Sequence, residues 1–396
     1  MSYPRSFKIK PLRRVLALLL GLAFLLSLCG CAQDDAALSG QTDATLTDDS
    51  AFELHPEDVD TPLDGGGAIV ALAVGPSGTE SGAGAMVWKG IETFCGNFNY
   101  TSQQFVAQGD DVNAAADALR SASESGARLV VCYGGEMAAA LYTVQDSYPD
   151  VSYLCLDDEP HSEDYTNYRS GSNVHCVLFE EEQAGFLAGY AAVREGNTSM
   201  AFLGGEPLLG VVRYATGFVQ GAEAAAEDLG IQGYIRIWYS SLNESNDDVT
   251  NHVKGWYDEG FQLVMTAGGD LLESCIEAAR LSQRQVIGSD WDQTGLDECV
   301  VTSAVKCFNG VVQEQLYDFF TTGGWNQTKA GATERIGATE GAVELPLQNW
   351  RFENFSISEY QDIYQKLATG AVKVERFSDV DMLPQTHNIT VDQQNV

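Results

Sequence analysis

Positive charge is what this chain has least of. Its 396 residues carry 22 Lys and Arg against 56 Asp and Glu, a formal net charge of −34. That balance argues against nucleic acid or an anionic lipid surface as a partner, because both repel a strongly acidic protein. Catalytic signatures are also missing: there is no G-x-S-x-G elbow, no H-E-x-x-H and no Walker A loop. Five histidines lie scattered (His55, His161, His175, His252, His387), so no metal centre, cofactor or enzymatic activity is expected. Nor does any C-x-x-C pair occur. Beyond the N-terminal region the cysteines are Cys95, Cys132, Cys155, Cys176, Cys275, Cys299 and Cys307, an odd number that suits neither a disulfide framework nor a zinc site. Several fall in apolar runs such as Tyr153-Leu154-Cys155-Leu156, as buried free thiols do.

A membrane-spanning run is lacking as well. Val15 to Leu28 is uncharged but shorter than the roughly 18 residues of a transmembrane helix. Arg5, Lys8, Lys10, Arg13 and Arg14 precede it, and Leu28-Cys29-Gly30-Cys31 follows. This is the order of a secretory signal peptide over residues 1–30, and Gly30-Cys31 resembles the bacterial lipobox. The resemblance implies cleavage before Cys31, lipidation of that cysteine, and anchorage on the extracytoplasmic face of the cell membrane. Residues 31–66 carry acids of one sign among Ser, Thr, Gly and Ala, which predicts a disordered, self-repelling tether.

From Ala68 onward, short apolar runs alternate with helical patterns. Ala68–Val74, Arg128–Cys132 and Val151–Leu156 read as strands, separated by helices at Ala85–Phe94, Asp110–Ser123 and Met137–Tyr148. The pattern then restarts at Val174–Leu178 and continues to Gln285–Ser289. Such alternation requires parallel sheets with helices on both faces. A helix at Ser358–Thr369 and a short strand at Val372–Glu375 are expected near the end. Ligands of open parallel sheets bind at the carboxyl ends of strands. The loops there make Glu80, Ser81, Tyr133, Glu136, Gly268, Gly269 and Trp291 candidate ligand-binding residues. Gly82-Ala83-Gly84 is not a dinucleotide fingerprint, because Val87 occupies its third glycine position.

Several segments resemble the basic membrane protein family, lipid-anchored nucleoside-binding components of ABC importers. Phe202-Leu203-Gly204-Gly205, followed by Tyr214-Ala215-Thr216-Gly217-Phe218, is similar to its F-[IL]-G-G and F-x-x-G-F segments. Phe179-Glu180-Glu181-Glu182-Gln183-Ala184-Gly185-Phe186-Leu187-Ala188-Gly189, Gly288-Ser289-Asp290-Trp291-Asp292-Gln293 and Thr302-Ser303-Ala304-Val305-Lys306 agree in order. The resemblance implies a type I periplasmic-binding fold: two three-layer parallel-sheet α/β lobes joined by three crossovers. On that template lobe 1 comprises 67–173 and 300–325, lobe 2 comprises 174–299 and 330–350, and 351–396 form a C-terminal helix and tail.

The same resemblance makes Asp290 and Lys306 contacts to a ribose. A carboxylate can accept hydrogen bonds from two vicinal hydroxyls. It implies a solute-binding protein that takes a small polar ligand, a nucleoside or a polyol or ribosyl compound, to an ABC permease. A sensing lipoprotein that presents its ligand to a membrane signalling partner is the alternative. One departure stands out. The family's first loop reads like D-D-K-[SG]-F-N-Q, with Asp and Asn reading a base on which an aromatic stacks. Here its Phe and Asn become Ala83 and Gly84, and the usual Gly-Phe after the third strand becomes Gly134-Gly135. The residues that would hold a base are replaced.

Overall fold

The computed structural model describes residues 48–394. The expected signal peptide, Cys31 and the start of the tether lie outside the described residues. Strands and helices alternate as β1 (Ile69–Val74), α1 (Gly82–Phe98), β2 (Thr101–Val106), α2 (Val112–Glu124), β3 (Leu129–Tyr133), α3 (Gly135–Val144), β4 (Ser152–Leu156) and β5 (Val174–Phe179). The chain continues through α4 (Glu181–Arg194), β6 (Ser199–Gly204), α5 (Leu209–Leu229), β7 (Gly233–Tyr239), α6 (Asp247–Glu259), β8 (Leu263–Ala267), α7 (Leu272–Ser282), β9 (Gln285–Asp290) and β10 (Val300–Lys306). It ends with α8 (Phe308–Thr322), β11 (Thr333–Ile336), β12 (Val343–Glu344), α9 (Ile357–Ala368) and β13 (Ile389–Gln393). Two sheets result, ordered β11-β5-β4-β3-β1-β2 and β12-β10-β9-β8-β6-β7-β13. Both are parallel except where β12 runs against β10. Helices cover both faces of each, the type I periplasmic-binding architecture.

Three crossovers join the lobes, at other places than the sequence suggested. β5 pairs with β4 in the first sheet, so the chain crosses at Glu180 rather than before Val174. β10 pairs with β9 in the second sheet, so Val300–Lys306 does not return to lobe 1. Only at Cys307 does the chain cross back, and α8 then packs on α1 through Phe308, Val312 and Leu316. Residues 333–336 add β11 to the first sheet, and the third crossover lies at Gly337. Strands buried at every position carry no mark of which sheet they join; pairing decides that.

The second half of the expected tether is ordered. Phe52, Val59 and Leu63 pack around buried Leu54 on the first lobe, and Tyr317 bonds to the backbone of Thr61. Asp49 accepts the amides of Asn309 (3.1 Å) and Gly310 (2.7 Å) at the start of α8, where the helix dipole favours negative charge. Its own amide donates to Glu344 of β12 (2.7 Å). Asp48 accepts the amides of Leu347 and Gln348. This acidic strap therefore clasps both lobes. Average composition hid four apolar side chains and two helix- and turn-capping acids. The C-terminal region is likewise integral: α9 packs through Tyr360, Ile363 and Leu367 into the second core. The edge strand expected at Val372–Glu375 is instead β13, which pairs with β7.

The described cysteines are free thiols. Cys132, Cys155 and Cys176 lie side by side on β3, β4 and β5, fully buried among alanines and valines.

Candidate ligand-binding site

Lys306 ends β10 just before the second crossover, where the carboxyl ends of both sheets face each other. It is buried. Its Nζ lies 2.8 Å from Asp157 Oδ2, 3.1 Å from Asp290 Oδ1 and 3.7 Å from Glu181 Oε1. These acids come from different places: Asp157 follows β4 in the first lobe, Asp290 ends β9 in the second, and Glu181 opens α4 at the first crossover. Arg213 of α5 donates to Glu181 (3.3 Å). The Tyr214 hydroxyl lies 3.3 Å from Asp290 Oδ1 and 3.2 Å from the Ala304 carbonyl.

An aromatic wall flanks the charges. Lys306 Nζ is 5.5 Å from the Tyr214 ring centroid and 5.9 Å from that of Phe179. Phe308 stands edge-on to Phe179 at 4.8 Å and to Tyr133 at 5.1 Å.

Three carboxylates face two cations here, which sets the electrostatics. Burial pulls the Lys306 ammonium down, but Asp157, Asp290 and Glu181 outweigh it and hold the pKa well above the usual lysine range. Burial pushes the Asp157 carboxyl up, Lys306 opposes this, and Glu181 and Asp290 add to the rise. Burial also raises the Tyr133 phenol, with Asp157 and Asp290 contributing.

Asp157 (φ 70°) and Asp290 (φ 69°) both adopt the left-handed backbone region. Aspartate tolerates that region better than most residues, yet the cost is still on the order of 1 kcal/mol or more each. Both turns aim a carboxylate at the same ammonium.

The structure brings Asp290 and Lys306 together and sets Tyr133 near enough to feel both charges. Trp291 reaches toward the first lobe, its Nε1 3.9 Å from where a Cβ on Gly82 would stand. Glu80 and Ser81 are exposed at the start of α1, where Ser81 is the N-cap residue, and Glu136 is exposed in the first turn of α3. Gly268 and Gly269 serve loop packing: a Cβ on them would stand 2.6 Å from Val211 and from Asn243 respectively. Asp157, Glu181 and Tyr214 escaped sequence reading. Asp157-Asp158 is in sequence an acidic pair after an apolar run, and only the backbone turn at Asp157 separates their directions.

Gly84 is explained by packing. A Cβ there would lie 2.7 Å from the Gly78 carbonyl, so this shape of the first loop excludes any larger residue at the position.

A family model described as ABC transporter substrate-binding protein, PnrA-like (Bmp), matches residues 69–383. The chain belongs to this family. Basic membrane protein B of Borreliella burgdorferi is 26% identical over 253 residues, covering 63% of this chain and 71% of that protein. The transcriptional activator protein med of Bacillus subtilis is 25% identical over 299 residues, covering 72% and 81%. Among solved structures, an ABC transporter solute-binding protein from Conexibacter woesei superposes with a TM-score of 0.63 at 17% identity, covering 79% of this chain and all of that one. At that identity the likeness establishes the fold. Two of the family segments visible in this sequence lie on the α4–α5 helix pair. A Cβ on Gly185, Gly189, Gly217 or Gly221 would strike the backbone of the facing helix, so these glycines let α4 and α5 pack in direct backbone contact.

Proposed function

We propose that this protein is a lipid-anchored, extracytoplasmic solute-binding component of an ABC importer, taking a small, unphosphorylated polar ligand between its lobes and delivering it to a permease. The observation that carries the reading is the Asp157–Lys306–Asp290 cluster at the carboxyl ends of both sheets. Hydroxyls of a ribosyl or polyol ligand can accept from Lys306 and donate to Asp290. A phosphate fits poorly, because Lys306 and Arg213 each already face carboxylates. With the family's importers as precedent, a nucleoside is the preferred ligand.

Closing hinged lobes on the ligand stabilises the fold without chemistry. Isothermal titration of the full chain in detergent with nucleosides, ribose, polyols and nucleotides tests this. Micromolar or tighter binding of an unphosphorylated compound is expected. Tighter binding of nucleotides than of their parent nucleosides overturns it. A second reading, a sensing lipoprotein that presents its ligand to a signalling partner, draws on the similarity to a protein named as a transcriptional activator.

A further inference from the structure

The loop after β4 carries a tyrosine in an unusual posture. Tyr165 has φ +55°, a conformation that bulky residues seldom adopt. Its turn is closed by hydrogen bonds of Ser162 with Asn167 (2.8 Å) and of Tyr165 with Ser162 (2.8 Å), and by Asp164 accepting from Ser162 and Thr166. One face of the ring stacks on buried His161, centroids 4.0 Å apart and planes within 18°. The residue is still 43% exposed. A strained, pinned aromatic with one face covered and one open is a prepared surface.

Its hydroxyl points at the cleft. The oxygen lies 3.2 Å from where a Cβ on Gly135 would stand, and Asp158 Oδ2 lies 3.5 Å from the same spot. Gly135 opens α3, two residues beyond Tyr133, whose phenol feels the charges of Asp157, Asp290, Lys306 and Glu136. Tyr165 therefore stands over the gap left where a larger residue at 135 would project. Burial raises its phenol, and Asp158 and Glu136 of the first lobe and Glu206 of the second are near enough to add to the rise.

We propose that Tyr165 is the aromatic face on which this protein stacks the base of its ligand, and that Asp158, Glu136 and Glu206 select a base bearing an exocyclic amino group. This rests on the solute-binding reading above, and it supplies from a different loop the aromatic that Ala83 and Gly135 do not. A carboxylate accepts from an amino group, whereas a ring carbonyl in the same place meets another acceptor and loses its hydrogen bonds.

The test titrates the full-length protein with adenosine, inosine, cytidine and uridine, in wild type, Tyr165→Phe and Tyr165→Gly. Glycine suits the left-handed backbone, so the second variant removes the ring without straining the turn. Expected are adenosine over inosine and cytidine over uridine by at least tenfold, a loss of roughly 5- to 150-fold in Tyr165→Gly, and near wild-type affinity in Tyr165→Phe. Thermal unfolding that stays within a few degrees of wild type separates lost stacking from lost fold. Equal nucleoside affinity in Tyr165→Gly overturns the stacking role, and a preference for inosine or uridine overturns the selection by carboxylates. A wild type that binds ribose or polyols but no nucleoside overturns the stacking proposal while leaving a solute-binding protein. A wild type that binds none of them defeats the underlying reading and this proposal with it.

Discussion

Lys306 of the second lobe and Asp157 of the first meet at 2.8 Å in the floor of the cleft. The contact ties the two sheets together beside the residues proposed to hold the ligand. With Asp290 3.1 Å from the same ammonium, one lysine holds an acid of each lobe.

Replacing that lysine tests the structural role. Lys306→Met leaves Asp157, Asp290 and Glu181 facing one another without their shared cation, and breaking a buried pair this way costs about 3–5 kcal/mol. Urea unfolding at pH 7 is expected to show that loss. Part of it should return at pH 5, because burial raises the Asp157 carboxyl and lets it take up a proton there.

Removing the charge of Asp290 while keeping its shape tests the ligand role. Asn tolerates the left-handed backbone at this position, so Asp290→Asn is expected to fold normally and to bind its ligand more than tenfold weaker. A charged hydrogen bond is worth about 1.5–3 kcal/mol. Unchanged affinity by calorimetry confines Asp290 to orienting Lys306.

The strap gives a pH dependence with a definite sign. Burial raises the Asp49 carboxyl from 3.8 to about 6, although the amides of Gly310 and Asn309 pull the other way. A folded value above the unfolded one means that the native state holds the proton longer. Its contribution is complete below about pH 4 and is lost as pH rises toward 6, a swing on the order of 3 kcal/mol. Asp49→Asn, which does not titrate, should remove this component. The difference between variant and wild-type unfolding free energies, followed from pH 4 to 7, measures it.

Two glycines with opposite surroundings should respond oppositely to the same change. Gly189→Ala sets a methyl against the backbone of Phe218 in α5, which no rotamer change relieves, and should cost about 3 kcal/mol. Gly255 lies within α6 with nothing near its Cβ position, and Gly255→Ala should stabilise by about 0.5–1 kcal/mol. Chemical denaturation of both variants reads the contrast.

Anchorage is tested at Cys31. Cys31→Ser is expected to abolish lipidation, so mass spectrometry should find no acyl chains and fractionation should move the protein out of the membrane. Retention of the variant in the membrane would falsify the lipid anchor.

What the sequence determined by itself was the class of fold and the family. Strand and helix periodicities are local, and the glycines of α4 and α5 sit at fixed spacings, so both survive in one dimension. Asp290 and Lys306 stood out in sequence only as separate ribose contacts implied by the resemblance; that they pair with each other came from the structure. Tertiary structure decided the rest. Val174–Phe179 and Val300–Lys306 are buried throughout, so their sheets followed from pairing partners rather than from composition. The strap at 48–66 reads as disordered until Asn309, Gly310, Leu347 and Gln348 present amides for its acids to accept. Asp157 joined the site, while Asp158 turned toward His161 and Tyr165, because the backbone enters the left-handed region at Asp157. Adjacent residues of one type carry no directional mark in sequence; the backbone dihedral between them assigns each its partner.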